Sequence, residues 1–195
     1  MAKVSGGTRN NRIKRTTEKN YSAKMVRNIV GMEQKYRHNK DETLHIFNAK
    51  GDIVNSIKGE GARVRFNKED VPADSILTHN HPRSLNSIGI NRIGNSFSRA
   101  DIESAISTNA KEIRAITPTY TFSLKRPKNG WGITAKQAGA EYRRIDNKVF
   151  GNEQEYLKTQ KWNKNSIDRA SVTHYHNVVK ILAKKYGWDY SKKNS

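Results

Sequence analysis

Two histidines separated by one residue, His79 and His81, follow a short apolar run and stand directly before Pro82. Such a run closed by proline indicates a buried strand, and side chains two apart on a strand point to the same side. Ser98 is a candidate helix N-cap, which would place Asp101 in the first helical turn, facing the strand end. Two imidazoles and one carboxylate leave a fourth position open on a tetrahedral zinc ion, as in a catalytic site.

These residues also carry a family resemblance. The segment His79-Asn-His81-Pro82, followed by Ser98-x-x-Asp101, resembles the metal motif of the JAB/MPN (JAMM) zinc isopeptidases. The form found here is similar to JAB-like domains that accompany phage head-morphogenesis proteins and polymorphic toxins. The resemblance covers about residues 41–124, and the loop 83–97 is longer than the family usually shows. It implies an α+β fold, a mixed β-sheet flanked by helices in JAB/MPN-like, cytidine-deaminase-like layers.

The resemblance also assigns catalytic roles. Glu42 stands just before a predicted strand, where the family has its general base, and would move the proton from water to the leaving amine. Ser98 would donate a hydrogen bond to the oxyanion formed on attack. The metal ligands would be His79, His81 and Asp101, the cofactor Zn²⁺, and the substrate a peptide or isopeptide bond in a protein. A phage, mobile-element or toxin setting rests on resemblance alone.

Each part of the motif also has a simpler explanation. Ser-x-x-Asp is close to a capping box, which begins ordinary helices. Two histidines at a strand end can be hydrogen-bonded without any metal. Two other functions therefore stay open: a basic, nucleic-acid-binding virion or structural protein with a non-catalytic metal site, and a metal-dependent nuclease toxin.

The charge is concentrated in two flanks. The chain has 195 residues and a formal net charge of +19. Residues 1–40 and 126–195 each carry +9, whereas residues 41–125 carry only +1. Basic flanks are typical of proteins that bind polyanions, so DNA or RNA is an expected partner. The proposed contacts lie in the N-terminal arm, at Arg9, Arg12, Lys14 and Arg15.

The pattern predicts three segments. Residues 1–20 form a flexible basic arm, 21–125 the JAB-like metal-binding domain, and 126–195 a basic helical extension. Helical spacing of apolar residues follows Ser22, and short strands are expected at 43–48, 53–57, 62–66, 71–77, 111–117 and 119–124. A helix begins at Ser98, another spans 136–162 with an interruption at Gly151-Asn152, and a last one begins at Ser166 and ends at Gly187.

Composition excludes several classes of protein. The chain has no cysteine, so it can form neither a disulfide framework nor a thiolate zinc site. It has no apolar run long enough for a membrane span, and its N-terminus lacks the apolar region of a signal peptide. We therefore expect a cytoplasmic or virion-associated protein without a membrane partner. The oligomeric state is not predicted.

Overall fold

A six-stranded mixed sheet organises the fold. The computed structural model describes residues 21–61, 63–82 and 95–194. Its strands are β1 (Thr43–Phe47), β2 (Ile53–Lys58), β3 (Ile76–Asn80), β4 (Glu112–Ile116), β5 (Tyr120–Lys125) and β6 (Asp189–Asn194). They lie in the order β2-β1-β3-β4-β5-β6, with β3 and β4 parallel and the other neighbours antiparallel. The α+β class with a mixed sheet is therefore confirmed.

Four helices accompany the sheet in the described ranges: α1 (Ala23–Tyr36), α2 (Arg99–Ser107), α3 (Ala135–Thr159) and α4 (Lys164–Tyr186). Helix α1 begins where predicted, because the Ser22 hydroxyl accepts the backbone N–H of Met25. Its apolar stripe, including Met25 and Ile29, packs on one face of the sheet against Phe47 and Ile76.

The larger core lies on the opposite face. Helix α2 links the parallel strands β3 and β4, which need a crossover connection. Helices α2 and α3 pack together, as do α3 and α4. Their buried apolar side chains meet those of the sheet face that carries Leu44, Leu77 and Ile113. The side chains of alternate strand residues therefore enter two different cores, one under α1 and one under the other three helices.

The C-terminal part contributes a strand as well as helices. Gly187 ends α4 with φ 69°, as predicted, and the backbone then turns into β6 beside β5. Trp188 is buried, its indole N–H donates to the carbonyl of Trp131 at 2.9 Å, and the two rings meet edge to face. The helical character predicted for residues 126–195 is therefore only part of the structure of that segment.

Four local predictions were wrong. The strand expected at 71–77 begins only at Ile76 and continues to Asn80. Residues 63–66 alternate between exposed and half-buried side chains but form no strand, because their backbone does not pair with the sheet; Ala62 lies outside the described residues. Helix α3 continues through Gly151, where an added Cβ would meet open space. Helix α4 is capped by Asn163, whose side chain accepts the N–H of Ser166, so it begins earlier than predicted.

Some predictions fall outside the described residues. They are the N-terminal arm at 1–20, with Arg9, Arg12, Lys14 and Arg15, and most of the loop predicted at 83–97. Within the described part of the chain, no helix is both long enough and apolar enough to cross a bilayer.

Candidate metal centre

His79 and His81 lie at the end of β3, on the sheet face that α2 covers. The antiparallel register pairs Leu44 of β1 with His79, and the alternation of the strand turns both histidines toward the same side. His79 is 3 % exposed. The prediction that a period of two would aim both imidazoles at one point is confirmed, since their Nε2 atoms are 2.9 Å apart.

Asp101 completes a group of three possible metal ligands. The His79 Nε2 atom lies 3.4 Å from Asp101 Oδ1, and His81 Nε2 lies 4.0 Å from Asp101 Oδ2. The three ligand atoms all lie within 4.8 Å of one another. Bond lengths of 2.0–2.2 Å around a tetrahedral zinc ion require ligand atoms about 3.3 Å apart. The separations from His79 to His81 and to Asp101 are close to this value, and the His81–Asp101 separation is longer, so the group could hold a metal ion after a small shift of side chains.

The outer nitrogen of His81 is also occupied. His81 Nδ1 lies 2.8 Å from the carbonyl oxygen of Asn95. Histidines that bind metals typically use the second ring nitrogen in this way, which fixes the tautomer and directs the other nitrogen at the ion.

The protonation state of His79 suits a ligand. Burial lowers the pKa of His79 to about 4, with a smaller contribution from His81 in the same direction, although Asp101 opposes both. The imidazole is therefore neutral at neutral pH. A neutral imidazole is the form that can donate its lone pair to a cation.

Asp101 is both a helix cap and a possible ligand. Its Oδ2 atom accepts the backbone N–H of Ser98 at 2.7 Å, and the Ser98 hydroxyl accepts the N–H of Asp101 at 3.3 Å. This is the capping box that the sequence offered as the simpler explanation. The capping box does not exclude the metal group, because it orients the carboxylate while Oδ1 faces His79.

Glu42 lines the same cavity as the three ligands. Its backbone N–H donates to Gly61 and its carbonyl accepts the N–H of Gly59, so a turn fixes its position just before β1. It stands two residues before Leu44, the register partner of His79, which is consistent with a side chain on the same side of the sheet. Ser98 also lines this cavity.

The cavity is large enough for an extended substrate. Its volume is about 880 Å³. Beyond the predicted residues, it is lined by Arg63 and Arg65 from the unpaired segment and by Ser171 and Tyr175 from α4. Neither guanidinium has an acidic partner among the residues that the structure describes. The side of the cavity formed by these two arginines is therefore positively charged.

The C-terminal strand supports the segment that orients His81. The Ser96 hydroxyl lies 2.7 Å from the Tyr190 hydroxyl, which lies 2.8 Å from His176 Nδ1. Tyr190 belongs to β6, so residues distant in sequence hold the backbone whose Asn95 carbonyl meets His81. These contacts could not be predicted from the sequence, because a single tyrosine in a polar stretch has no distinguishing pattern.

Three of the other histidines have structural partners. His174 connects α4 to α3, with Nδ1 2.7 Å from Glu153 and Nε2 2.7 Å from Asp146. His176 contacts the Tyr190 hydroxyl of β6 instead, so these two histidines do not share a metal. His45 lies 2.7 Å from the Ser56 hydroxyl, in agreement with a structural role.

Comparisons with protein-family models, with curated proteins and with solved structures found no match to this chain. The similarity to JAB/MPN proteins therefore rests on the motif residues alone, and it remains a prediction.

Proposed function

We propose that this chain is a zinc-dependent hydrolase that cleaves a peptide or isopeptide bond. The observation that supports this proposal most strongly is the convergence of His79, His81 and Asp101 within 4.8 Å, in a cavity that Glu42 also lines. A purely structural site of this kind would normally use a fourth protein ligand, whereas three ligands beside a cavity leave room for water and substrate.

Zinc is the metal that suits these donors best. Two imidazole nitrogens, one carboxylate oxygen and the absence of cysteine from the chain agree with the ligand sets of catalytic zinc sites. When bound, zinc supplies a Lewis acid that makes water nucleophilic near neutral pH.

The side chains around the group have distinct roles in this proposal. Glu42 accepts a proton from the attacking water and delivers it to the leaving amine. Ser98 uses its hydroxyl oxygen to accept the Asp101 N–H, which leaves the hydroxyl proton for the oxyanion. By analogy with the motif, such a domain would act in a phage, a mobile element or a toxin system.

The test combines metal content with cleavage. The purified chain should contain one zinc ion by elemental analysis, and it should hydrolyse peptides or lysine-linked isopeptides from a fluorogenic library. Glu42→Gln should keep the zinc but lower the cleavage rate by about 100-fold or more, the usual contribution of general acid–base catalysis. Glu60→Gln, at an exposed glutamate in the neighbouring turn, is the matched control and should leave the rate unchanged.

A phosphodiester is the second candidate substrate, because Arg63 and Arg65 line the cavity and arginine pairs well with phosphate. In that case the chain should cut DNA or RNA in a chelator-sensitive reaction, and Arg63→Ala with Arg65→Ala should slow it. Cleavage of nucleic acid without cleavage of any peptide would replace the first proposal by the second. Zinc binding without either activity would reject both.

A further inference from the structure

A second groove, lined by none of the motif residues, lies between α3 and α4. The two helices are antiparallel, since Lys185 contacts Glu141 and His174 contacts Glu153. One face of each helix lines a depression of about 490 Å³. Its walls carry three basic side chains and two large apolar side chains: Arg169, Lys180, Lys184, Tyr156 and Ile181.

The acidic side chains of these two helices already have positively charged or imidazole partners. Every carboxylate on α3 and α4 lies beside a basic side chain or an imidazole: Glu141 beside Arg144 and Lys185, Asp146 and Glu153 beside His174, Glu155 beside Lys158, and Asp168 beside Lys164. By contrast, Arg169, Lys180 and Lys184 are exposed and have no acidic partner among the residues that the structure describes. The groove therefore has surplus positive charge.

The groove also exposes apolar surface. Tyr156 and Ile181 are each 43 % exposed, which is unusual for large apolar side chains on two packed helices. A ligand for this surface needs negative charge and a flat apolar face.

We propose that the groove between α3 and α4 binds single-stranded nucleic acid. Phosphates meet Arg169, Lys180 and Lys184, and a base stacks on Tyr156. This combination of basic groove and exposed aromatic ring is how proteins bind single strands without sequence preference. Along α4, Lys180 and Lys184 are about 6 Å apart and Arg169 about 16 Å further along, so the charges extend over several nucleotides.

An acidic peptide fits the groove less well. It would supply the negative charge, but its carboxylate side chains offer no flat face to Tyr156, whereas an unpaired base does. Paired bases present neither an open face nor a full edge, so duplex should bind less tightly. The proposal does not depend on the metal centre.

The experiment measures binding of the full chain to a fluorescein-labelled single strand of about twelve nucleotides. Fluorescence anisotropy is followed between about 50 and 200 mM salt. Lys180→Glu/Lys184→Glu should make the slope of log K against log salt shallower by about 1.4, because two phosphate contacts are lost. Tyr156→Leu should weaken binding about tenfold or more at an unchanged slope, because stacking is lost and charge is not.

The charge-matched control is Lys50→Glu/Lys128→Glu, two exposed lysines outside the groove. It should retain the wild-type slope. Equal losses in control and groove variants would overturn the proposal, because binding would then depend on net charge alone. Wild-type affinity in Tyr156→Leu would also overturn it, as would tighter binding of duplex or of an acidic peptide. The unfolding midpoint of each variant shows whether the variant is folded. Lys180→Gln/Lys184→Gln removes the same two positive charges without adding negative ones, so weaker binding by this variant, if it is folded, reflects lost phosphate contacts.

Discussion

The two faces of the sheet bury ionisable clusters of opposite kinds. Under α1, Arg114 lies between two carboxylates: its Nη1 is 2.8 Å from Glu112, and its Nη2 is 3.0 Å from Glu33. Under α2, His79 and Asp101 meet the second histidine beside a cavity. The first cluster thus contains its own cation, covalently part of the chain, whereas we propose that the second receives its cation from solution.

The two clusters also differ in how completely the protein encloses them and satisfies their hydrogen bonds. Glu112 is fully buried and accepts hydrogen bonds from Tyr21 and Ser123, both at 2.6 Å. Glu33 is buried as well and accepts the Thr78 hydroxyl at 3.0 Å. A buried ionic cluster with its hydrogen bonds satisfied holds elements together, whereas an equally polar cluster that opens on a cavity can bind ligands.

The largest expected effect comes from removing the built-in cation. Arg114→Met leaves Glu33 and Glu112 buried without their partner, so we expect the free energy of unfolding to fall by about 3–5 kcal/mol. Urea denaturation measures it, with or without chelator. Arg143→Met, at an exposed arginine on α3, should change stability by no more than about 0.5 kcal/mol. A small loss in Arg114→Met would show that the α1 cluster is not a structural counterpart of the metal group.

A smaller effect, dependent on zinc, is expected on the other face. At zinc concentrations about 100 times the dissociation constant, binding should stabilise the wild-type fold by about 2.7 kcal/mol. His81→Ala should lose this stabilisation and its zinc, yet remain folded in chelator. His38→Ala, at an exposed histidine of the same type, should behave like the wild type. If zinc does not raise the unfolding temperature of the wild-type chain, both clusters are merely structural.

The smallest expected effect is a pH dependence of the α1 cluster. Burial alone would raise the pKa of Glu112, but Arg114, Lys125 and the hydrogen bonds from Ser123 and Tyr21 outweigh it and hold the pKa below its ordinary value. The unfolded chain therefore binds this proton more tightly than the folded chain. Stability from Glu112 is present above the unfolded pKa of about 4.3 and is lost as pH falls through the folded pKa.

Unfolding measurements between neutral and acid pH test this dependence. The wild-type curve should fall below about pH 4, and Glu112→Gln should flatten the fall, although it lowers stability at neutral pH. Glu155→Gln, at an exposed glutamate on α3, serves as the control. If the free energy of unfolding falls equally steeply with pH in Glu112→Gln and in the wild type, other carboxylates cause the acid sensitivity.

Local patterns predicted the histidine and aspartate geometry well. His79 and His81 converge because a period of two is a property of any strand, and Asp101 faces them because a serine cap fixes where a helix begins. The α1 stripe was predictable for the same reason. In each case, residues close in sequence determine the geometry, so the pattern contains the information.

Features that depend on distant partners were not predictable. Glu33 lies on the apolar face of α1, which signals a buried partner, but nothing near it identifies Arg114. The strand β6 is polar throughout, because an edge strand depends on pairing with β5 more than on its own burial. The alternation at 63–66 reflects burial of Val64 and Phe66 without backbone pairing. Gly151 is exposed, so its cost of about 1 kcal/mol does not end α3.

Asp101 has a consequence for how a bound ion would be sensed. One carboxylate oxygen holds the first turn of α2 through the Ser98 N–H, and the other faces His79. A bound ion would draw electron density from this carboxylate and weaken the hydrogen bond that it accepts from the Ser98 N–H. Metal binding would then be linked to fraying of the first turn of α2. Since α2 packs directly on α3, a change at this end of α2 would act first on the contact between these two helices.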